Sequence, residues 1–296
     1  MKILFVKKLS TGILDGGDIY DIKLINGLKK LGNEVTEYTI KQGKKGVFPF
    51  WKWQISNHDI VSINSIQGDY DKTIISHENI ADLSKHIECD LYIFHNLMSK
   101  IRGTILLAMF YRIGSKYHER KAIRNSKEVL VLSFREFSLL RSGKPNYCPP
   151  GINESLIQDD DKSVIFLPSS SGWMLKKLSK LGVRETSHIN KYFEIKEDNK
   201  FSRVGIIEDK FDCGFKLRLI QMLYSCDIII TKLDYKCEIN ALGCSSKNVF
   251  RYKNFTNVNF DVLLDEIDYE VNYNNRKQLS SNYNWNSIAT NIVNIL

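Results

Sequence analysis

No stretch of these 296 residues approaches the roughly 18 consecutive apolar side chains that a membrane-spanning helix needs, so the sequence offers no candidate span. The apolar run Ile3-Leu4-Phe5-Val6 gives way at once to Lys7-Lys8, too short for the core of a signal peptide; a first buried strand is expected there. The six cysteines, Cys89, Cys148, Cys213, Cys226, Cys237 and Cys244, contain no C-x-x-C pair and form no zinc-like cluster with the histidines. Unpaired thiols in a reducing cytoplasm are the expectation. No internal repeat, no low-complexity tract and no G-x-G-x-x-G dinucleotide fingerprint is present.

What is there fits a soluble globular protein, with 43% hydrophobic and 26% charged residues. The length suits two domains of ~100–200 residues. Charge is uneven. Lys and Arg outnumber Asp and Glu by 23 to 16 over residues 1–155, but only by 19 to 18 over residues 156–296. A basic face concentrates anionic partners such as phospholipid headgroups, a lipid-pyrophosphate carrier, a phosphorylated glycan or nucleic acid. A face that merely keeps the protein solvated is the other reading.

Short apolar runs alternate with helical patterns. Strands are expected at Ile3–Val6, Val35–Ile40, Ile60–Ile63, Leu91–His95, Val129–Ser133, Val164–Pro168, Val204–Ile207, Ile228–Thr231 and Val249–Tyr252. Ile19, Ile22, Leu24, Ile25, Leu28 and Leu31 recur at helical spacing, and Ile105 through Tyr117 forms a second helical stretch. Such alternation implies parallel sheets covered on both faces. Pro149-Pro150-Gly151, followed by the acidic Asp159-Asp160-Asp161, marks a linker. The acidic triplet precedes its strand, whereas a metal-binding Asp-x-Asp would follow one, so a solvated linker is favoured.

Several stretches carry chemistry. Gly12, Gly16 and Gly17 lie between the first strand and a helix, where glycine permits a tight turn and lets a ligand approach the helix amides; a turn without a ligand is equally consistent. His95 ends a strand, on the side of a parallel sheet where ligands bind, and an imidazole there orients or deprotonates an acceptor hydroxyl. A histidine satisfied by a backbone carbonyl is the alternative. His58, His77, His86, His118 and His188 share no ligand-like spacing. Between Lys41 and Trp53, Lys44 and Lys45 interleave with Trp51 and Trp53, a mixture suited to an anionic membrane surface, to single-stranded nucleic acid or to a buried aromatic cluster.

The order of these motifs resembles glycosyltransferase family 4 of the bacterial surface-glycan type. The similar segments are Gly16-Gly17-Asp18-Ile19-Tyr20 with Gly32-Asn33-Glu34-Val35, Asp90 through Asn96, Glu128 through Ser133, Cys148 through Ile152, Val164 through Gly172, Gly214 through Thr231, and Asn284-Trp285-Asn286-Ser287. Ser133 and Glu136 also fit a capping box. The resemblance implies a GT-B fold, α/β, with two Rossmann-like lobes facing across a cleft. Residues 1–155 are the expected acceptor lobe, 156–282 the donor lobe, and 283–296 a helix crossing back to the first lobe.

What the resemblance implies for activity is transfer of a hexose-type residue from a nucleotide-diphosphate sugar to a glycan or lipid-linked glycan acceptor, with retention and without metal or other cofactor. Donor-binding residues would be Ser171, Gly172, Lys176, Arg203, Gly214, Lys216 and Gln221, with His95 catalytic. Gly16, Gly17, Lys44, Lys45, Trp51 and Trp53 would face the acceptor or membrane. The family's paired glutamates, seven residues apart, are replaced here by Cys213 and Gln221. Gln221 retains hydrogen-bonding capacity towards a ribose but not charge. The expected location is cytoplasmic, with the inner membrane face as a candidate docking surface. A DNA-modifying glucosyltransferase of the same fold and a catalytically silent GT-B-like partner subunit remain as alternatives, and nucleic acid ranks behind glycan as a partner.

Overall fold

Ile3, Leu4, Phe5 and Val6 are wholly buried in the first strand, β1 (Lys2–Lys8), although consecutive side chains of a strand point to opposite faces. Burial on both faces is what a central strand of a covered parallel sheet requires. The computed structural model describes residues 1–9, 16–40, 55–100, 106–140, 145–154, 204–207, 214–215, 217–252 and 260–296.

Around β1 the order is β2 (Glu34–Ile40), β1, β3 (Lys72–Ser76), β4 (Cys89–Phe94), β5 (Ser126–Val131) and β6 (Pro145–Tyr147), and all five pairings are parallel. Helix α1 (Gly16–Lys30) connects β1 to β2 and buries Tyr20, Asp21, Leu24, Ile25, Gly27 and Leu28. The buried stripe therefore runs through Tyr20, Leu24 and Leu28 at helical spacing, while Ile19 and Leu31 at its margins stay exposed. Helix α2 (Asn57–Gln67) leads to β3, a 3-10 segment (Glu78–Lys85) to β4, and α3 (Leu106–Asn125) to β5. Helix α4 (Phe134–Leu139) follows β5, with Ser133 Oγ accepting from the Glu136 amide at its N-terminus.

The expected strand at Ile60–Ile63 is a correction, because those residues lie inside α2. Ser56 caps that helix by accepting from the Asp59 amide at 3.1 Å. Ile60, Ile63 and Ile66 then face the core three residues apart, and Val61 between them is exposed. The apolar pattern misses two strands, the short edge strand β6 and the central strand β3. Its Thr73-Ile74-Ile75 run is short, and its burial comes from lying between β1 and β4.

The chain divides into two units. The first takes in Met1–Gly151, Phe211–Leu217 and Trp285–Leu296, and the second Ile152–Lys210 and Arg218–Asn284. Elements described after the six-stranded sheet are β7 (Val204–Ile207), α5 (Leu217–Ser225), β8 (Ile228–Thr231), α6 (Lys236–Ala241), β9 (Val249–Arg251), α7 (Phe260–Asp265), α8 (Tyr269–Asn282) and α9 (Trp285–Ile295). In the second unit β7, β8 and β9 form a parallel sheet in that order. Helix α8 is tied to it by polar contacts: Asn272 Nδ2 donates to the Asp227 carbonyl at 3.0 Å, and Arg276 Nη2 to the Asp227 carboxylate at 2.7 Å.

In the first unit α9 packs on α1. A Cβ at Gly27 would lie 2.9 Å from Ala289 Cβ and 3.0 Å from the Trp285 carbonyl oxygen, so the close approach needs glycine. The described cysteines, Cys89, Cys148, Cys226, Cys237 and Cys244, are all free thiols. Among the described residues no helix is long and apolar enough to cross a membrane.

Candidate functional site

The carboxyl ends of β3 and β4 bring together residues far apart in sequence. Ser76 ends β3, His95 follows β4, and Asp21 reaches them from the first turns of α1; all three are buried. This is the end of an open parallel sheet where ligands bind. Ser76 Oγ donates to Asp21 Oδ1 at 2.6 Å and lies 2.8 Å from His95 Nε2, which is itself 3.2 Å from Asp21 Oδ1.

A hydroxyl has one hydrogen, and that of Ser76 goes to Asp21. The short contact to His95 therefore requires Nε2 to carry a hydrogen and donate it. Nε2 is thus engaged as a hydrogen-bond donor. The arrangement is not a hydrolase triad. In a triad the imidazole stands between serine and carboxylate and uses a different nitrogen for each. Here both meet Nε2, and Ser76 is 0% exposed.

His77 reinforces the site. Its ring stacks on His95 with centroids 5.3 Å apart. Its backbone φ of 98° lies outside the favoured regions for a non-glycine residue, a strain of about 1–3 kcal/mol. Three hydrogen bonds hold it there. Its amide donates to the Ile93 carbonyl, its carbonyl accepts from Tyr92 Oη at 2.8 Å, and its Nδ1 accepts from the Asn79 amide at 3.1 Å. Since Nδ1 accepts, the ring is neutral, and burial holds its pKa below the usual value despite Glu78 3.5 Å away. Tyr20 meets His95 edge-on at 5.2 Å and Trp285 at 5.6 Å. Its buried phenol is raised well above the usual pKa, by burial first and then by Cys148 and Asp21.

The turn at Gly214 lies against the same segment. Its φ is +63°, and a Cβ there would fall 2.0 Å from Asn96 Oδ1 and 2.7 Å from the His95 carbonyl oxygen. Only glycine fits. The Gly214 amide donates to Glu136 Oε1 at 2.7 Å, and the Leu97 amide donates to the same oxygen at 3.1 Å. Burial raises the Glu136 carboxyl to about 7, against the lowering effect of these two amides, and the Glu78 and Glu119 carboxylates add to the rise. At the start of α1, a Cβ on Gly16 would make ordinary contact with Leu217. Nearby, a cavity of about 10 Å³ is bounded by Glu78, Met98, Ser115, His118 and Glu119, enough for one water and far too small for a sugar.

Of the residues singled out in the sequence, the structure thus gathers His95, Gly214 and Gly16 in the first unit, with Gly17 beside Gly16 in the first turn of α1. Gln221 lies on α5 in the second unit, where Oε1 accepts from the Asn153 amide at 2.9 Å and Nε2 donates to the Asn153 carbonyl at 3.2 Å. The Gly214 amide, placed among the donor-binding groups, donates to Glu136, and α5 follows from Leu217. Ser171, Gly172, Lys176, Arg203, Lys216, Lys44, Lys45, Trp51 and Trp53 lie outside the described residues, as does the strand expected at Val164–Pro168.

The sequence carries no signal for Asp21 or Ser76, sets His77 among the histidines without ligand-like spacing, and marks Glu136 only as a cap. His118, read as lacking ligand-like spacing, is buried beside Asp82, with Nδ1 3.6 Å from the carboxylate.

No family model matches the sequence, and no curated protein does. Solved structures match along nearly the whole chain. Sucrose-phosphate synthase from Thermosynechococcus elongatus has a TM-score of 0.65 at 12% identity, over 99% of this chain and 98% of that one. A trehalose-6-phosphate structure from E. coli bound with UDP-2-fluoro glucose gives 0.52 at 10% identity, again over 99% and 98%. The apo form of OtsA gives 0.51 at 10% identity over the same shares. These neighbours are GT-B glycosyltransferases, and this chain has the GT-B fold. At 10–12% identity the likeness establishes the fold alone.

Proposed function

We propose that the chain is a nucleotide-sugar-dependent hexosyltransferase that builds a glycan. The observation that carries this reading is the meeting of His95 with the Gly214 turn at the carboxyl end of a GT-B parallel sheet. The motif order, which resembles glycosyltransferase family 4, supports it. So do the structural neighbours, one of which is bound with UDP-2-fluoro glucose.

In this reading the His95 imidazole orients or receives the proton of the acceptor hydroxyl. Its Nε2–H, locked by Ser76 and Asp21, fixes the ring. Cleavage of the sugar-phosphate bond leaves negative charge on the diphosphate, which Lys176, Arg203 and Lys216 with the amides of Ser171 and Gly172 would offset without a metal. Gln221 would reach the ribose with the hydrogen-bonding capacity that Asn153 leaves it: one Nε2 hydrogen and one Oε1 lone pair. The acceptor is a glycan or lipid-linked glycan, approached from an anionic membrane surface.

The second reading is a catalytically silent GT-B-like subunit. It is favoured by Cys213 and Gln221 in place of carboxylates and by the engagement of the Gly214 amide. Incubation with a panel of nucleotide sugars separates the two. Release of a nucleoside diphosphate, lost in His95→Ala, supports the enzyme; binding with no release under any acceptor supports the silent subunit.

A further inference from the structure

We propose that Glu136 is a positioning residue: its carboxylate pins the Gly214 turn to the backbone just past His95 and so sets the spacing of the site. For its catalytic consequence this rests on the transferase reading above.

The geometry is specific. Glu136 sits in α4, but its Oε1 takes amide hydrogens from two other segments, Leu97 at 3.1 Å and Gly214 at 2.7 Å, which are 39 and 78 residues away in sequence. Leu97 is two residues past His95. The Gly214 turn in turn packs on Asn96 and on the His95 carbonyl with no room for a Cβ. A single buried oxygen therefore joins three separate stretches of chain, among them the one that presents the imidazole. Small displacements of such supports are costly, since a shift of about 1 Å far from the chemistry lowers rates by ~10²-fold.

The second oxygen points to the same role. Glu136 is 2% exposed, and its Oε2 is buried with no hydrogen-bond partner among the described residues. A residue serving only as a helix cap has no need to be drawn in so deeply, because the Ser133 hydroxyl already accepts the first-turn amide. The charged groups facing the carboxyl, among the described residues, are Glu78 from the 3-10 segment and Glu119 from α3. With burial they hold the proton on up to about pH 7, and the unpartnered Oε2 is the atom to carry it. Oε1 accepts from both amides in either state, more strongly when the group is ionised.

Four forms of the full-length protein test this: wild type, Glu136→Ala, Glu136→Asp and Glu136→Gln. Amide exchange at Leu97 and Gly214 needs no substrate. It is expected to quicken at least tenfold in Glu136→Ala and Glu136→Asp, the latter one methylene too short, and to return towards wild type in Glu136→Gln, whose carbonyl replaces Oε1. kcat is expected to fall 10- to 100-fold in the first two with a smaller change in nucleotide affinity, and to recover in Glu136→Gln.

Unchanged exchange at Leu97 and Gly214 in Glu136→Asp would overturn the proposal. So would a glutamine variant as inactive as the alanine one, which would make the carboxyl a proton carrier instead. If Glu136→Ala does not fold, the aspartate and glutamine variants carry the comparison. Exchange that follows these expectations in a protein turning over no donor would leave the pin standing and refute the transferase reading.

Discussion

At the scale of single residues, the hydrogen of Ser76 decides the chemistry of His95. Because it goes to Asp21, Nε2 donates and the imidazole is held in one orientation. His95→Ala is expected to lower kcat by ~10²-fold or more with donor affinity little changed, as measured by initial rates against nucleotide binding. Ser76→Ala removes the hydroxyl that both neighbours use and is expected to cost about 1–3 kcal/mol in urea denaturation. Gly214→Ala forces an L residue to φ +63° and places a methyl against the His95 carbonyl, an expected loss of roughly 2 kcal/mol or more. A neutral change in denaturation midpoint would show that the turn is not held as described.

Asp82 supplies the acid limb. Burial raises its carboxyl, yet the nearby His118 imidazole, 3.6 Å away, and the hydrogen bond from Lys85 outweigh this and hold it at about 2, below the usual 3.8. A folded pKa below the unfolded one stabilises above the unfolded value, and the benefit is lost as pH falls from about 4 towards 2. Solvent at Lys85 screens the pair, so ~1 kcal/mol is expected, and Asp82→Asn should flatten that part of the stability curve.

Among elements, those with dense apolar runs were legible in the sequence. β1, β4, β5 and β8 announce themselves because they are buried on both faces, as was His95 at the end of one of them. α2 was misread because Ile60-Val61-Ser62-Ile63 is rich in β-branched residues, while the serine cap and three-residue spacing decide for helix. β3 was missed because its burial is a property of its neighbours. The partners of His95 leave no local trace for the same reason. Asp21 and Ser76 stand 55 residues apart and meet only through the parallel pairing of β1 with β3 and the packing of α1. Glu136 did carry a local signal, its spacing from Ser133, but that signal named the cap and concealed the pin. The contact of α1 with α9 gives an element-scale test. Gly27→Leu is expected to cost about 1–3 kcal/mol through overpacking against Ala289 and Trp285, whereas Gly68→Ala, where nothing lies within 4 Å, is a control.

For the molecule as a whole, the likeness to solved structures establishes the GT-B fold alone, and the charge excess in the first half is what an anionic partner of the proposed kind would use. The most direct test of the nucleotide-sugar reading is thermal unfolding of the full chain against a panel of nucleoside diphosphates, repeated with chelator. A ligand that binds only the folded state at about 100 times its Kd stabilises by ~2.7 kcal/mol, several degrees in Tm for a chain of this size. The expected result is a saturable rise with one nucleoside diphosphate, unchanged by chelation and reduced in Gln221→Ala. No shift with any nucleoside diphosphate at millimolar concentration would contradict the reading.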